Sequence, residues 1–197
     1  MQRNRKTRDN IFRHQLYSCL NKYFKFGLMN VIVQTPRLLV REFKKRDEGL
    51  LVELYGDERV TQHVPKRTVE ETKRQFADAV KSYKSMPGLG RWGVFNPLND
   101  DFIGVCILKP ADSDPLRIEL GYVLAPEYWG AGLATELAKA LVTYGFEKKG
   151  LTEICACTNP KNLASQNVLL KAGLRRDGNI FWHNEELTFF RIEKAFN

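Results

Sequence analysis

The sequence predicts an α+β fold with a mostly antiparallel sheet, and three observations carry that expectation. Short apolar runs come in turn-linked pairs, at residues 91–96 and 102–109 around Pro97-Leu98-Asn99-Asp100-Asp101, and at 174–182 and 187–195 around His183-Asn184-Glu185, the pattern of hairpins. Segments with helical periodicity and explicit end signals separate other runs. The resulting order, two helices and then ββ-β-α-β-α-β-β, mixes strands and helices without the regular alternation of an all-parallel sheet.

Taken along the chain, Val31 to Phe43 reads as a strand interrupted by Pro36. A helix starts at Arg46-Asp47, with apolar Leu50, Leu51, Leu54 and Tyr55 and with Asp47 as its cap. Thr68-Val69-Glu70-Glu71 has capping-box spacing before a helix to about Ser85, which Pro87-Gly88 ends. After the first hairpin, residues 117–124 form a third strand that pairs with the second across the Asp112–Pro115 turn. A glycine-containing turn opens a helix over 132–149, which stops at Lys148-Lys149-Gly150, basic residues and then glycine, as the helix dipole and the left-handed cap favour. Ile154–Thr158 is the next strand; Asn162 caps a helix that Gly173 terminates. No internal repeat is visible.

Bulk properties narrow the classes. A chain of 197 residues, 43% hydrophobic and 27% charged, suits one soluble domain with a short appendage. The formal charge of +8 invites a nucleic-acid reading, but residues 1–28 hold seven basic side chains against Asp9 alone, so +6 belongs to this arm and only +2 to residues 29–197. Within the arm Phe12, Leu16, Leu20 and Phe24 recur every four residues, a short amphipathic helix interrupted too often by polar residues for a secretory signal. A docking helix, a targeting arm and an extension upstream of the true start at Met29 are its three readings. No apolar run reaches membrane-spanning length. Cys19, Cys106, Cys155 and Cys157 make no CxxC, and no histidine stands at metal-ligand spacing, so the expectation is reduced, mostly buried thiols, no metal and a cytoplasmic setting.

The most informative segment is Tyr128-Trp129-Gly130-Ala131-Gly132-Leu133-Ala134-Thr135-Glu136, between an apolar strand and a helix. Glycine permits a tight turn and close approach, and the first turn of a helix offers unpaired N–H groups at its positive end, an anion cradle. It is not a Walker loop, since no lysine follows the glycines, and position 135 is threonine where the dinucleotide fingerprint wants a third small residue. A second segment about thirty residues on, Asn159-Pro160-Lys161-Asn162-Leu163-Ala164-Ser165, adds a helix start carrying polar side chains.

Together these resemble the GNAT-superfamily N-acetyltransferases, whose pyrophosphate motif Q/R-x-x-G-x-G/A is similar to Trp129-Gly130-Ala131-Gly132-Leu133-Ala134. Trp129 in that setting, the opening Thr35-Pro36-Arg37-Leu38-Leu39-Val40-Arg41 and the run Ile118-Glu119-Leu120-Gly121-Tyr122 resemble the branch that acetylates ribosomal-protein N-terminal alanine or serine. The resemblance covers about residues 30–196. It implies a GNAT fold, a mixed sheet splayed at a central strand with helices on both faces, and acetyl transfer from acetyl-CoA directly to an amine, without a metal. It further implies that backbone N–H groups from Gly130 through Ala131, Gly132, Leu133 and Ala134 to Thr135, beside Trp129, hold the CoA pyrophosphate. Tyr122, Val123 and Leu124 would pair with the pantetheine, and Asn162 would hydrogen-bond it.

For catalysis, the family's usual tyrosine acid is Leu169 here, and Ser165 matches the serine used by the ribosomal-protein branch. The amine must shed a proton before attack; Glu119 and Glu186 are the candidate bases, with Asp177 a further acidic neighbour, set against an ion pair to Arg117 or another basic neighbour for Glu119 and a surface location for Glu186 and Asp177. Partners on this reading are acetyl-CoA and an amine acceptor, a ribosomal-protein N-terminus foremost, with the enzyme a monomer or homodimer. A small-amine acetyltransferase, for a polyamine or an aminoglycoside, and a non-catalytic module sensing acyl-CoA or RNA are the competing readings.

Overall fold

The computed structural model describes residues 30–182 and 184–195; the amphipathic pattern of the arm lies outside them. The chain order is β1 (Val31–Gln34), β2 (Leu39–Arg41), α1 (Glu48–Gly56), α2 (Val69–Ser82), β3 (Gly90–Phe95), β4 (Phe102–Pro110), β5 (Ile118–Leu124), α3 (Leu133–Lys148), β6 (Glu153–Thr158), α4 (Leu163–Lys171), β7 (Arg175–Trp182) and β8 (Glu185–Glu193). The eight strands form one sheet in the order β1-β2-β3-β4-β5-β6-β8-β7. Neighbours are antiparallel except β5 and β6.

Helices cover both faces. On one, Leu137 and Leu141 of α3 and Leu169 of α4 pack against Trp92, Leu108, Leu120 and Ile154 of the sheet. On the other, Leu51 and Leu54 of α1 and Phe76 of α2 meet Phe43 and Val105. The split follows from strand alternation: in β4 Cys106 and Leu108 join the α3 side while Val105 joins the α1 side.

The capping box before α2 forms as expected, Glu71 N donating to Thr68 Oγ1 at 3.2 Å and Thr68 N to the Glu71 carboxylate at 2.8 Å. Two local expectations are corrected. The single strand over 31–43 is a hairpin, with Val33 opposite Val40, Gln34 opposite Leu39, and Thr35 N bonded to Leu38 O at 2.8 Å; Pro36, read as an interruption, occupies a turn position that its fixed φ suits. Asp47 does not cap α1 with its side chain. It accepts instead from Lys44 N at 2.8 Å and from Arg41 Nη1 at 2.7 Å.

That Arg41–Asp47 pair is buried, the two side chains 1% and 4% exposed, and the guanidinium also lies 3.5 Å from the Phe95 ring centroid. It ties the β1–β2 hairpin to the start of α1. Removing Asp47 leaves the buried Arg41 only a longer contact, 3.6 Å, to the partly exposed Asp100. Asp47→Ala is therefore expected to lower unfolding free energy by about 3–5 kcal/mol, read as a shifted urea midpoint; a change within the ±0.5 kcal/mol of ordinary surface substitutions would refute the structural weight given to the pair.

Candidate active site

The turn between β5 and α3 has the backbone that an anion cradle needs. Gly130 and Gly132 have φ of +73° and +76°, a conformation costly for side chains with a Cβ. A Cβ at Gly130 would meet nothing within 4 Å, and one at Gly132 only Arg37 Nη2 at 3.9 Å, so conformation rather than crowding calls for glycine. Between Gly130 and Thr135 none of the N–H groups has an acceptor among the described residues; the first bond of α3 is Glu136 N to Gly132 O at 3.1 Å. The turn and the first residues of α3 therefore bring several N–H groups without a described protein acceptor to a helix N-terminus.

Tertiary contacts hold the loop in place. Glu136 accepts from Thr35 Oγ1 at 2.5 Å and from Arg37 Nε at 2.7 Å, and Arg37 Nη1 donates to Ala131 O at 2.9 Å. Burial alone would raise the Glu136 carboxyl, but the hydrogen bonds from Thr35 and Arg37 outweigh it and hold it below the usual range. Trp129 Nε1 donates to Leu124 O at 2.7 Å, pinning the end of β5 to the loop, while its ring stays half exposed. Sequence reasoning named Trp129 but gave no role to Arg37 or Glu136; the Thr35-Pro36-Arg37 and Thr135-Glu136 wording was the available signal.

β5 is paired along its whole length with β4, yet meets β6 at one register pair, Glu119 with Cys155. Beyond it the strands diverge, leaving Tyr122 and Val123 on the wall of a cavity of about 230 Å³ that also touches Gly121, Asn162 and Ser165. Asn162 Oδ1 caps α4 by accepting from Ser165 N at 3.0 Å. The Ser165 and Tyr122 hydroxyls are 3.3 Å apart. Burial raises the Tyr122 phenol, and its bond to Ser165 opposes that shift; this phenol, on a residue predicted only for its backbone, is a second hydroxyl at the spot. Leu169, where the family's tyrosine would stand, is buried in the core.

The narrow cavity opens into a cleft of about 1130 Å³ between the sheet, α2 and the β7–β8 end. Glu119 lies on both. The ion pair weighed for it does not form: Arg117 bonds Asp114 and Glu153 instead. Burial raises the Glu119 carboxyl above the ordinary range; Lys109 pulls it down, Asp112 pushes it up, and Arg91 adds a smaller downward pull. Glu186 is elsewhere, exposed on β8 and bonded to Asn179 Nδ2 at 2.9 Å, and it lines neither cavity. Asp177 is exposed and paired with Arg191 at 2.6 Å. Glu119, Asn162 and Ser165 thus come together, while Glu186 and Asp177 do not join them.

Residues 37–175, well over half the chain, match the acetyltransferase (GNAT) domain. The chain belongs to the GNAT acetyltransferase family. The N-acetyltransferase YnaD of Bacillus subtilis is 31% identical over 147 residues, 74% of this chain and 84% of YnaD. A GNAT-family acetyltransferase from Bacillus anthracis superposes with a TM-score of 0.69 at 26% identity, covering 82% of this chain and 97% of that one. RimL, a ribosomal L7/L12 α-N-protein acetyltransferase solved with coenzyme A, shares the fold at 15% identity, with a TM-score of 0.68 and coverage of 83% and 98%.

Burial pushes the Cys155 and Cys157 thiols up to about 12, and raises Cys106 as well, which makes them poor nucleophiles at neutral pH. Among the described residues no group of three or more His, Cys, Asp or Glu could hold a metal ion, and no helix is long and apolar enough to cross a membrane. The open donors of the glycine turn fit a pyrophosphate. Gly132→Val forces a β-branched residue to φ near +76°, and is expected to weaken acetyl-CoA binding at least about tenfold in titration calorimetry; an unchanged Kd would detach the cofactor from this turn.

Proposed function

We propose that this enzyme transfers acetyl from acetyl-CoA to the α-amine of a protein N-terminus, the reaction type of the ribosomal-protein branch. The observation that carries this reading is Glu119: a half-buried carboxylate with no hydrogen bond among the described residues, standing where a wide peptide-sized cleft narrows toward Ser165 and Tyr122. The branch-like wording around Trp129 supports the acceptor class.

Bound acetyl-CoA would supply the acetyl group as an activated thioester. The N–H groups of residues 130–135 hold the pyrophosphate, and Asn162 with the free edge of β5 aligns the pantetheine in the fork. The acceptor arrives in the wide cleft as an ammonium. Glu119 takes its proton, aided by the raised pKa that brings a carboxylate closer to neutrality. Backbone N–H groups along Tyr122–Leu124 stabilise negative charge developing on the carbonyl oxygen. Ser165, oriented by its hydrogen bond to Tyr122, donates its proton to the departing sulfur and regains one from the second proton that the acylated nitrogen sheds, while Glu119 releases the first to solvent.

Three outcomes follow. Mass spectrometry of a panel of N-terminal peptides with acetyl-CoA should show acetylation at the α-amine; transfer only to spermidine or kanamycin would replace the peptide with a small amine. Ser165→Ala should lower kcat by about 10²-fold with acetyl-CoA affinity retained, and wild-type turnover in that variant would remove the serine's role. The base must be ionised, so kcat/KM should fall as pH drops through the raised Glu119 pKa. Glu119→Gln should abolish that acid limb along with most activity; persistence of the limb would assign the proton to another group.

A further inference from the structure

At the junction of the narrow cavity and the wide cleft, the charged residues common to both walls are Arg67, Arg91 and Glu119. The two arginines converge on one buried side chain. Arg91 Nη1 donates to Tyr55 Oη at 3.3 Å, and the Arg67 guanidinium stands 5.0 Å from the centroid of the Tyr55 ring, its Nη1 reaching Pro65 O at 3.4 Å. Neither forms an ion pair among the described residues.

The cleft's other carboxylates form no ion pair with them among the described residues. Glu71 is held in the capping box, with Arg74 and Arg67 acting on it only through space, and Asp112 is paired with Lys109. Lys66, Arg74, Asp78 and Glu185 lie at the exposed rim of the cleft. With Glu119 serving the incoming ammonium, two guanidiniums remain beside it; Arg91 acts on Glu119 and Arg67 on Glu71 through space, but neither arginine is held in an ion pair among the described residues. Arginine is suited to this position: it stays charged when half buried, and its planar donors match a carboxylate two at a time.

We infer that Arg67 and Arg91 form an anion-recognising subsite, so the acceptor carries a carboxylate close to its reactive amine. Resting on the N-terminal acetylation reading above, this specifies a peptide with an aspartate or glutamate side chain just after the first residue. The same pair disfavours polycationic acceptors, whose second charge would be set against Arg67 and Arg91.

The test is kinetics of the full chain with acetyl-CoA and three peptides, Ala-Asp-Asp-Tyr, Ala-Asn-Asn-Tyr and Ala-Lys-Lys-Tyr. Wild type should favour the acidic peptide over the neutral one in kcat/KM by at least about tenfold. Arg67→Gln, in the loop before α2, and Arg91→Gln should each bring that ratio below about threefold with KM for acetyl-CoA unchanged, and Arg91→Lys should restore part of it. Equal rates on all three peptides, a preference for the lysine peptide, or a preference that survives both substitutions would overturn the subsite. Calorimetry of the same peptides in the presence of CoA separates the two claims. Acidic-peptide binding that needs both arginines, without turnover of any peptide, would uphold the subsite and sink N-terminal acetylation. Absence of acidic-peptide binding would sink the subsite, and turnover without acidic preference would leave acetylation standing alone.

Discussion

The site depends on a parallel strand pairing that stops almost as soon as it starts. β5 and β6 share one register pair, Glu119 with Cys155, and each is secured on its far side by a full antiparallel partner, β4 and β8. The sheet can therefore open at its centre without coming apart. The divergence leaves backbone donors and acceptors of β5 without a strand partner, a cost that a substrate with amide groups can offset. Because α3 supplies the crossover between the two strands, the glycine turn at its N-terminus directly follows the end of β5 that diverges.

Chemistry is divided across the fork. On the α4 side, Asn162 fixes the helix start and brings the Ser165 hydroxyl beside Tyr122. On the α2 side, Glu119 is the carboxylate at the narrow part of the passage, raised by burial. The cysteines nearby, held protonated by their own burial, do not compete as nucleophiles. On the mechanism we propose, the amine attacks directly rather than through an acyl-enzyme, with the proton leaving on one side and the sulfur on the other.

What could be read in the sequence was local. The capping box at Thr68 and Glu71, the helix stop after Lys148, the cap at Asn162 and the glycine turn each depend on neighbours within a few positions, and each stands where the spacing placed it. Failures came where a distant partner decided. Asp47 looked like a helix cap because nothing in its own segment shows the buried Arg41 that claims it. Pro36 looked like a break because a two-residue hairpin turn and an interrupted strand have similar wording. The Arg37–Glu136 latch joins residues 99 positions apart, and the pairing of Tyr122 with Ser165 spans 43; neither is visible until the sheet is assembled. Among the acidic candidates, Glu119 lines both cavities, whereas in β8 Glu185 and Leu187 line the wide cleft and strand alternation leaves Glu186 between them out of it.

The most direct test of the whole arrangement is a crystal structure of the full chain with CoA and an N-terminal peptide. The account predicts pyrophosphate oxygens within hydrogen-bond distance of N–H groups between Gly130 and Thr135, and the CoA sulfur in the fork beside Ser165 and Tyr122. It also predicts the peptide nitrogen within about 3 Å of Glu119, directly or through one water. A sulfur and a peptide nitrogen that meet away from the β5–β6 fork, with Glu119 facing neither, would contradict it.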